Sequence, residues 1–140
     1  MDIITITLTI LLLFQLLLVC YSDIRHRIIS NIIIVTITLN TLGFGFSINN
    51  TINLVIPLVT LFIGYIIFRF KLMGGGDVKL ITVLLFALTT AQSLDFIIYT
   101  AIMGGVVMIA GLLVNKKDIQ QRGVPYAVAI SLGFLLAIFI

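Results

Sequence analysis

The stretch Ile3-Ile4-Thr5-Ile6-Thr7-Leu8-Thr9-Ile10-Leu11-Leu12-Leu13-Phe14-Gln15-Leu16-Leu17-Leu18-Val19-Cys20-Tyr21 contains no charged side chain. Roughly 20 apolar residues in a helix cross the hydrocarbon core of a bilayer, and this run has that reach. Lipid offers no partner to a backbone N–H or C=O, so the run must satisfy those groups internally, as a helix. A barrel strand would alternate toward a polar lumen, and no such alternation is present.

The run does not read as a cleaved signal. Asp2 stands where a basic segment is wanted, and no small-residue cleavage site follows. Leu17-Leu18-Val19-Cys20 approaches a lipoprotein box, but Val19 occupies the place of a small residue. Residues 3–21 are therefore expected to remain as a membrane helix.

Working outward, five more apolar stretches appear, at about 28–46, 52–69, 79–93, 96–114 and 124–140. The expectation is an all-α polytopic membrane protein of six transmembrane helices, in one domain spanning 1–140. The fourth stretch is short, which predicts tilt or local thinning of the bilayer. Composition agrees. The chain has 140 residues, 61% hydrophobic and 9% charged, with a mean hydropathy of +1.33. Soluble domains are about a quarter charged, so the lipid bilayer is the expected solvent.

The positive charges fix an orientation. Arg25 and Arg27 lie between the first two stretches, Arg69, Lys71 and Lys79 flank the connection from third to fourth, and Lys116, Lys117 and Arg122 precede the sixth. The connections near Asn49 and Asp95 hold neither Lys nor Arg. Basic residues mark the cytoplasmic side. Both termini are then expected outside, in a cell (cytoplasmic or inner) membrane. The net charge of +3 is thus a topology signal, and no nucleic-acid partner is expected. With one cysteine, Cys20, and one histidine, His26, neither a disulfide nor a zinc site is expected. No cofactor or metal is predicted.

Some packing is also legible. Ala101 and Gly105 stand four apart, with Gly104 and Gly111 on the same stretch, and such small faces let another helix approach closely. Pro57 falls early in the third stretch and Pro125 at the start of the sixth, where a missing N–H is tolerated.

Of the five acids, Asp2, Asp95 and Asp118 have ordinary solvated or capping readings, Asp95 as a cap of the fifth helix. Asp23 ends the first stretch and Asp77 opens the fourth, on the same expected face. Two such carboxylates can converge between helices. An aspartic peptidase needs this pair: one carboxylate takes a proton from water while its protonated partner polarises the scissile carbonyl. Close carboxylates resist double ionisation and titrate as a coupled pair. Gly74-Gly75-Gly76 before Asp77 removes side-chain bulk and permits unusual dihedrals, and a helix N-terminus there favours negative charge. The plain alternative is that Asp23 pairs with Arg25 or Arg27, that Asp77 is an N-cap, and that the glycines form a turn.

The neighbours of both acids carry a resemblance. Asp23-Ile24-Arg25-His26-Arg27-Ile28-Ile29-Ser30-Asn31 resembles the first motif of type IV prepilin peptidases, an Asp followed after a basic loop by Ile-Pro-Asn. Met73-Gly74-Gly75-Gly76-Asp77-Val78-Lys79-Leu80 resembles their Gly-x-Gly-Asp motif, and Gly123-Val124-Pro125-Tyr126-Ala127-Val128-Ala129 a late Pro-Tyr segment. Ser30 departs from the usual Pro, which predicts a different local turn.

The resemblance implies an intramembrane aspartic endopeptidase. It would remove the leader from prepilin-like single-span precursors at the cytoplasmic face. Asp23 and Asp77 would be catalytic, and Gly74, Gly75, Gly76, Lys79 and Asn31 would support the motifs. Larger relatives carry a cytoplasmic methyltransferase region with paired cysteines. This sequence resembles the short, peptidase-only form, as in Flp (Tad) pilus or archaeal preflagellin systems, and N-methylation is not expected. Lys79 would orient or tune Asp77, or mark the interface. Arg25, His26 and Arg27 are expected to contact lipid headgroups, Tyr126 to line the site or sit at the interface, and Cys20 to pack as a small side chain. Two other classes remain open: an ion- or proton-coupled transporter using Asp23 and Asp77, and a non-catalytic pilus-assembly subunit.

Overall fold

A computed structural model describes residues 2–140. Those residues form six helices: α1 (Ile3–His26), α2 (Asn31–Asn49), α3 (Val55–Arg69), α4 (Gly75–Leu85), α5 (Thr90–Arg122) and α6 (Tyr126–Phe139). The all-α expectation holds. Three of them, α1, α2 and α5, are long and apolar enough to cross a membrane, while α3 and α6 are shorter apolar helices.

Polarity is arranged for lipid. Phe14, Leu17, Leu39, Phe62 and Leu113 face outward. Gln15, Asn40, Thr41 and Ser131 are buried. Asn40 Nδ2 donates to Gln15 Oε1 at 2.8 Å, and to the Leu8 carbonyl, tying α2 to α1. Such interhelical hydrogen bonds hold bundles together where apolar burial against lipid gives no driving force.

The fourth helix departs most from expectation. It has 11 residues, about 16 Å at 1.5 Å per residue, and ends well before residue 93. Leu80 through Leu85 are all buried. A helix apolar all round belongs in an interior, and α4 packs among α2, α3 and α6. Protein rather than lipid covers it, so the bilayer-length rule does not set its length.

The chain turns at Phe86–Thr89 instead of near Asp95. Thr89 Oγ1 accepts from Gln92 N–H, and Gln92 Oε1 accepts from Thr89 N–H. This capping box starts α5 six residues early. Asp95 consequently lies exposed inside α5 and does not cap it. The helix also continues through the expected polar loop, broken only at Asn115 (φ −151°, ψ 82°).

Glycines set three close approaches. A Cβ on Gly45 would stand 2.6 Å from the Phe86 carbonyl oxygen, one on Gly64 would stand 2.5 Å from Val78 Cγ1, and one on Gly133 would stand 2.8 Å from Thr100 Cα. These join α2 to the α4–α5 turn, α3 to α4, and α6 to α5. The small face predicted on α5 is different. A Cβ on Gly105 would meet nothing within 4 Å, so no helix of this chain closes on it.

Pro57 falls in the first turn of α3, and Pro125 immediately precedes α6, as their missing N–H groups require.

Candidate active site

The end of the bundle that carries Asp23 is built from the last turn of α1 and the first turns of α2, α4 and α6. Arg27 closes α1 in the left-handed conformation, with φ 53°, and its N–H donates to the Asp23 carbonyl. Ser30 then caps α2, its Oγ accepting from Ile32 N–H at 3.2 Å. Ser30 has φ −66°, the value a proline ring would lock. The departure at this motif position therefore keeps the turn that proline would impose and adds a cap.

Asp23 is buried at 6% exposure. Its Oδ2 accepts the Ala127 N–H at 3.0 Å. The first amides of any helix lack intrahelical partners, and α6 begins after Pro125 with no side-chain cap of its own. Asp23 thus serves as the acceptor at the start of α6, 104 residues away. The expected alternative pairing with Arg25 or Arg27 is not found: among the described residues, no ion pair engages Asp23.

Asp77 is half-buried in the first turn of α4. Gly74 is the N-cap, so Asp77 itself is not. The carboxylates of Asp77 and Asp23 lie within Coulombic reach of each other. Two helix N-termini, those of α4 and α6, therefore meet at two acids, and the positive ends of both helix dipoles face them.

The three glycines act by clearance. Gly74 has φ −69°, and among the described residues the only glycine with positive φ is Gly123. A Cβ on Gly74 would stand 3.3 Å from Asp77 Oδ2, one on Gly75 3.4 Å from Phe68 Cε2, and one on Gly76 3.1 Å from Ile29 Cβ. The unusual dihedrals expected from the run are absent. Its bareness instead lets the end of α3 and the connection between α1 and α2 close on the first turn of α4.

Lys79 Nζ donates to Asn31 Oδ1 at 3.0 Å. This contact joins the two sequence motifs directly, although both side chains are exposed. Arg27 and Asp118 have roles that sequence reading missed. Arg27 Nη2 pairs with Asp118 Oδ2 at 2.9 Å, and Arg122 Nη1 with Asp118 Oδ1 at 3.1 Å. Arg27 also donates to the carbonyls of Asp23, Ile24 and Gly123, and Arg122 to those of Ile24 and Arg25. The end of α5 is thereby clamped onto the end of α1. For Arg27 this replaces the expected lipid contact. Cys20 Sγ lies 3.4 Å from Ser131 Oγ, a packed small side chain as expected.

Beside the acids lies an apolar groove of about 720 Å³ between α3 and α5. Val78, next to Asp77, and Tyr126, next to Ala127, both line it.

Fold and site together define a helical membrane protein with two interacting carboxylates at one end of its bundle. The chain belongs to the type IV leader peptidase family, whose pattern matches residues 10–109. It is accordingly a peptidase. Comparison with curated proteins and with solved structures finds no match.

Proposed function

We propose that this protein is an intramembrane aspartic endopeptidase that removes the leader of prepilin-like, single-span precursors, of the Flp (Tad) type or a related one, at the cytoplasmic membrane face. The observation that carries the reading is the placement of Asp23, bonded to the first turn of α6, and Asp77, in the first turn of α4, at one end of the bundle in a chain of the leader peptidase family.

Asp23 Oδ2 is held by Ala127 N–H, which leaves Oδ1 to meet a water. In the reaction, one carboxylate of the pair removes a proton from that water as its oxygen attacks the scissile carbonyl carbon. The other carboxylic acid gives its proton to the carbonyl oxygen, forming a neutral tetrahedral diol. Collapse breaks the C–N bond, returns one diol proton to the pair and delivers one proton to the leaving amine. The pair ends in its starting protonation, and one water is consumed per bond cut.

Co-expression with a prepilin-like precursor tests this. Leader removal is read as a gel shift with the natural sequence, with Asp23→Asn and with Asp77→Asn. Both variants should insert and leave the precursor uncut. Processing at the natural rate by both variants would dismiss the dyad, and would favour an assembly subunit that needs neither acid.

A further inference from the structure

We infer that the groove between α3 and α5 is the docking site for the apolar membrane helix of the substrate, next to the bond to be cut. The inference rests on the peptidase reading above. Three observations support it.

The first is position. The groove lining includes Val78 and Tyr126, the chain neighbours of Asp77 and of the amide that holds Asp23. A helix seated there ends its apolar run at the carboxylate pair. The second is chemistry. Every lining residue is uncharged, and Thr60, Thr100 and Tyr126 supply the only hydroxyls, so an apolar segment fits and a basic one does not. Along α5 the lining runs from Phe96 to Met108, about 18 Å at 1.5 Å per residue, or roughly three helical turns.

The third is an unmatched packing face. Glycines 45, 64 and 133 each meet a partner element of this chain. Gly105 meets nothing, and a Cβ on Gly104 would approach only Tyr126, at 3.9 Å. With Ala101 one turn away, they leave the α5 backbone bare toward the groove. Bare backbone at this spacing is what membrane helices use to approach each other closely. An acyl chain gains little from it, so the face fits a helix better than a lipid.

Two measurements test the inference. In the first, Gly105→Leu fills open space without touching the carboxylates. It should raise KM for a membrane-spanning precursor at least tenfold while leaving kcat within about twofold. Val114→Leu, on the outward face of α5 (86% exposed), should leave both unchanged. An unaltered KM in Gly105→Leu would overturn the proposal. In the second, the uncleaving Asp77→Asn protein carries a photoreactive residue in place of Met108, or of Val114 as control. Met108 should capture the precursor's apolar helix and Val114 should not. Capture of lipid alone, of a second copy of the chain alone, or of precursor equally from both positions overturns it. Because this second readout needs no cleavage, it stands or falls separately from the dyad: loss of the peptidase reading shows as an uncut precursor with the natural sequence.

Discussion

The Asp23 carboxylate accepts the backbone N–H of Ala127 at 3.0 Å, across 104 residues of chain. One side chain is therefore both half of the acidic pair and the N-terminal acceptor of α6. Substitutions separate the two roles. Asp23→Asn keeps an oxygen that can accept from Ala127, so the bundle should unfold at about the natural denaturant concentration while cleavage is lost. Asp23→Ala removes the acceptor as well and should cost about 1 kcal/mol of stability, the usual worth of a helix cap. Unfolding in mixed micelles checks both. Equal stability of the two variants would show that the Ala127 contact contributes nothing.

Two carboxylates that work as an acid–base pair hold their protons jointly. The proposed reaction needs one proton on the pair, no more and no fewer. The profile of kcat/KM against pH should therefore be bell-shaped, its acid limb marking the doubly protonated pair and its alkaline limb the doubly ionised one. Rates measured in detergent across the range of structural integrity check this. A profile with one limb only would mean that a single acid governs the rate.

Asp118 gathers Arg27 and Arg122 into one clamp. The three side chains are 26%, 15% and 39% exposed, so each pair should contribute about 1 kcal/mol or less. The clamp matters for geometry, because Arg27 also holds the Asp23 carbonyl. Asp118→Asn should therefore leave the bundle folded, raise proteolytic nicking within residues 115–123 several-fold and lower leader cleavage. Asp118→Glu should recover part of both. Unchanged nicking in Asp118→Asn would show that the loop is held without the ion pairs.

How much of this was legible depends on the range of the interaction. Apolar length and charge placement are local sums over many residues, and they gave six helices with Asp23 and Asp77 at one end. The α4–α5 boundary failed because Thr89 and Gln92 sit inside an apolar window and look like span interior. Their capping box is worth more than the continuity of hydropathy. Asp77 could be seen because a glycine run marks it. The Ala127 amide could not, since a backbone N–H leaves no mark on residue type. Pro125, which leaves the start of α6 uncapped, was the only available hint. Arg27 and Asp118 are separated by 91 residues, and nothing in either neighbourhood selects the partner. Ser30 reads as a defect when compared with proline, until its φ is known.

The glycines divide by what they face. A side chain at position 133 would meet the Thr100 backbone, which cannot swing away as a side chain can. Gly133→Ala should destabilise the bundle by about 1–3 kcal/mol, the range for overpacking a tight interface. Gly105→Ala enters open space and should change stability by less than about 0.5 kcal/mol. Parallel unfolding curves compare them. Equal effects would mean that α6 and α5 are not packed through Gly133.

The bond from Lys79 Nζ to Asn31 Oδ1 ties a lysine two residues after Asp77 to the start of α2. Through that bond Lys79 joins α4 to α2. A double-mutant cycle isolates this link. Lys79→Met and Asn31→Ala should each lower cleavage, and together no further than either alone. Because both groups are exposed, the coupling in stability should be only about 0.5 kcal/mol. Lys79→Arg keeps the charge but moves the donors, and should restore less than half of the lost rate. Additive losses in the double variant would separate the two residues, and full recovery with Arg would make charge, not reach, the property that counts.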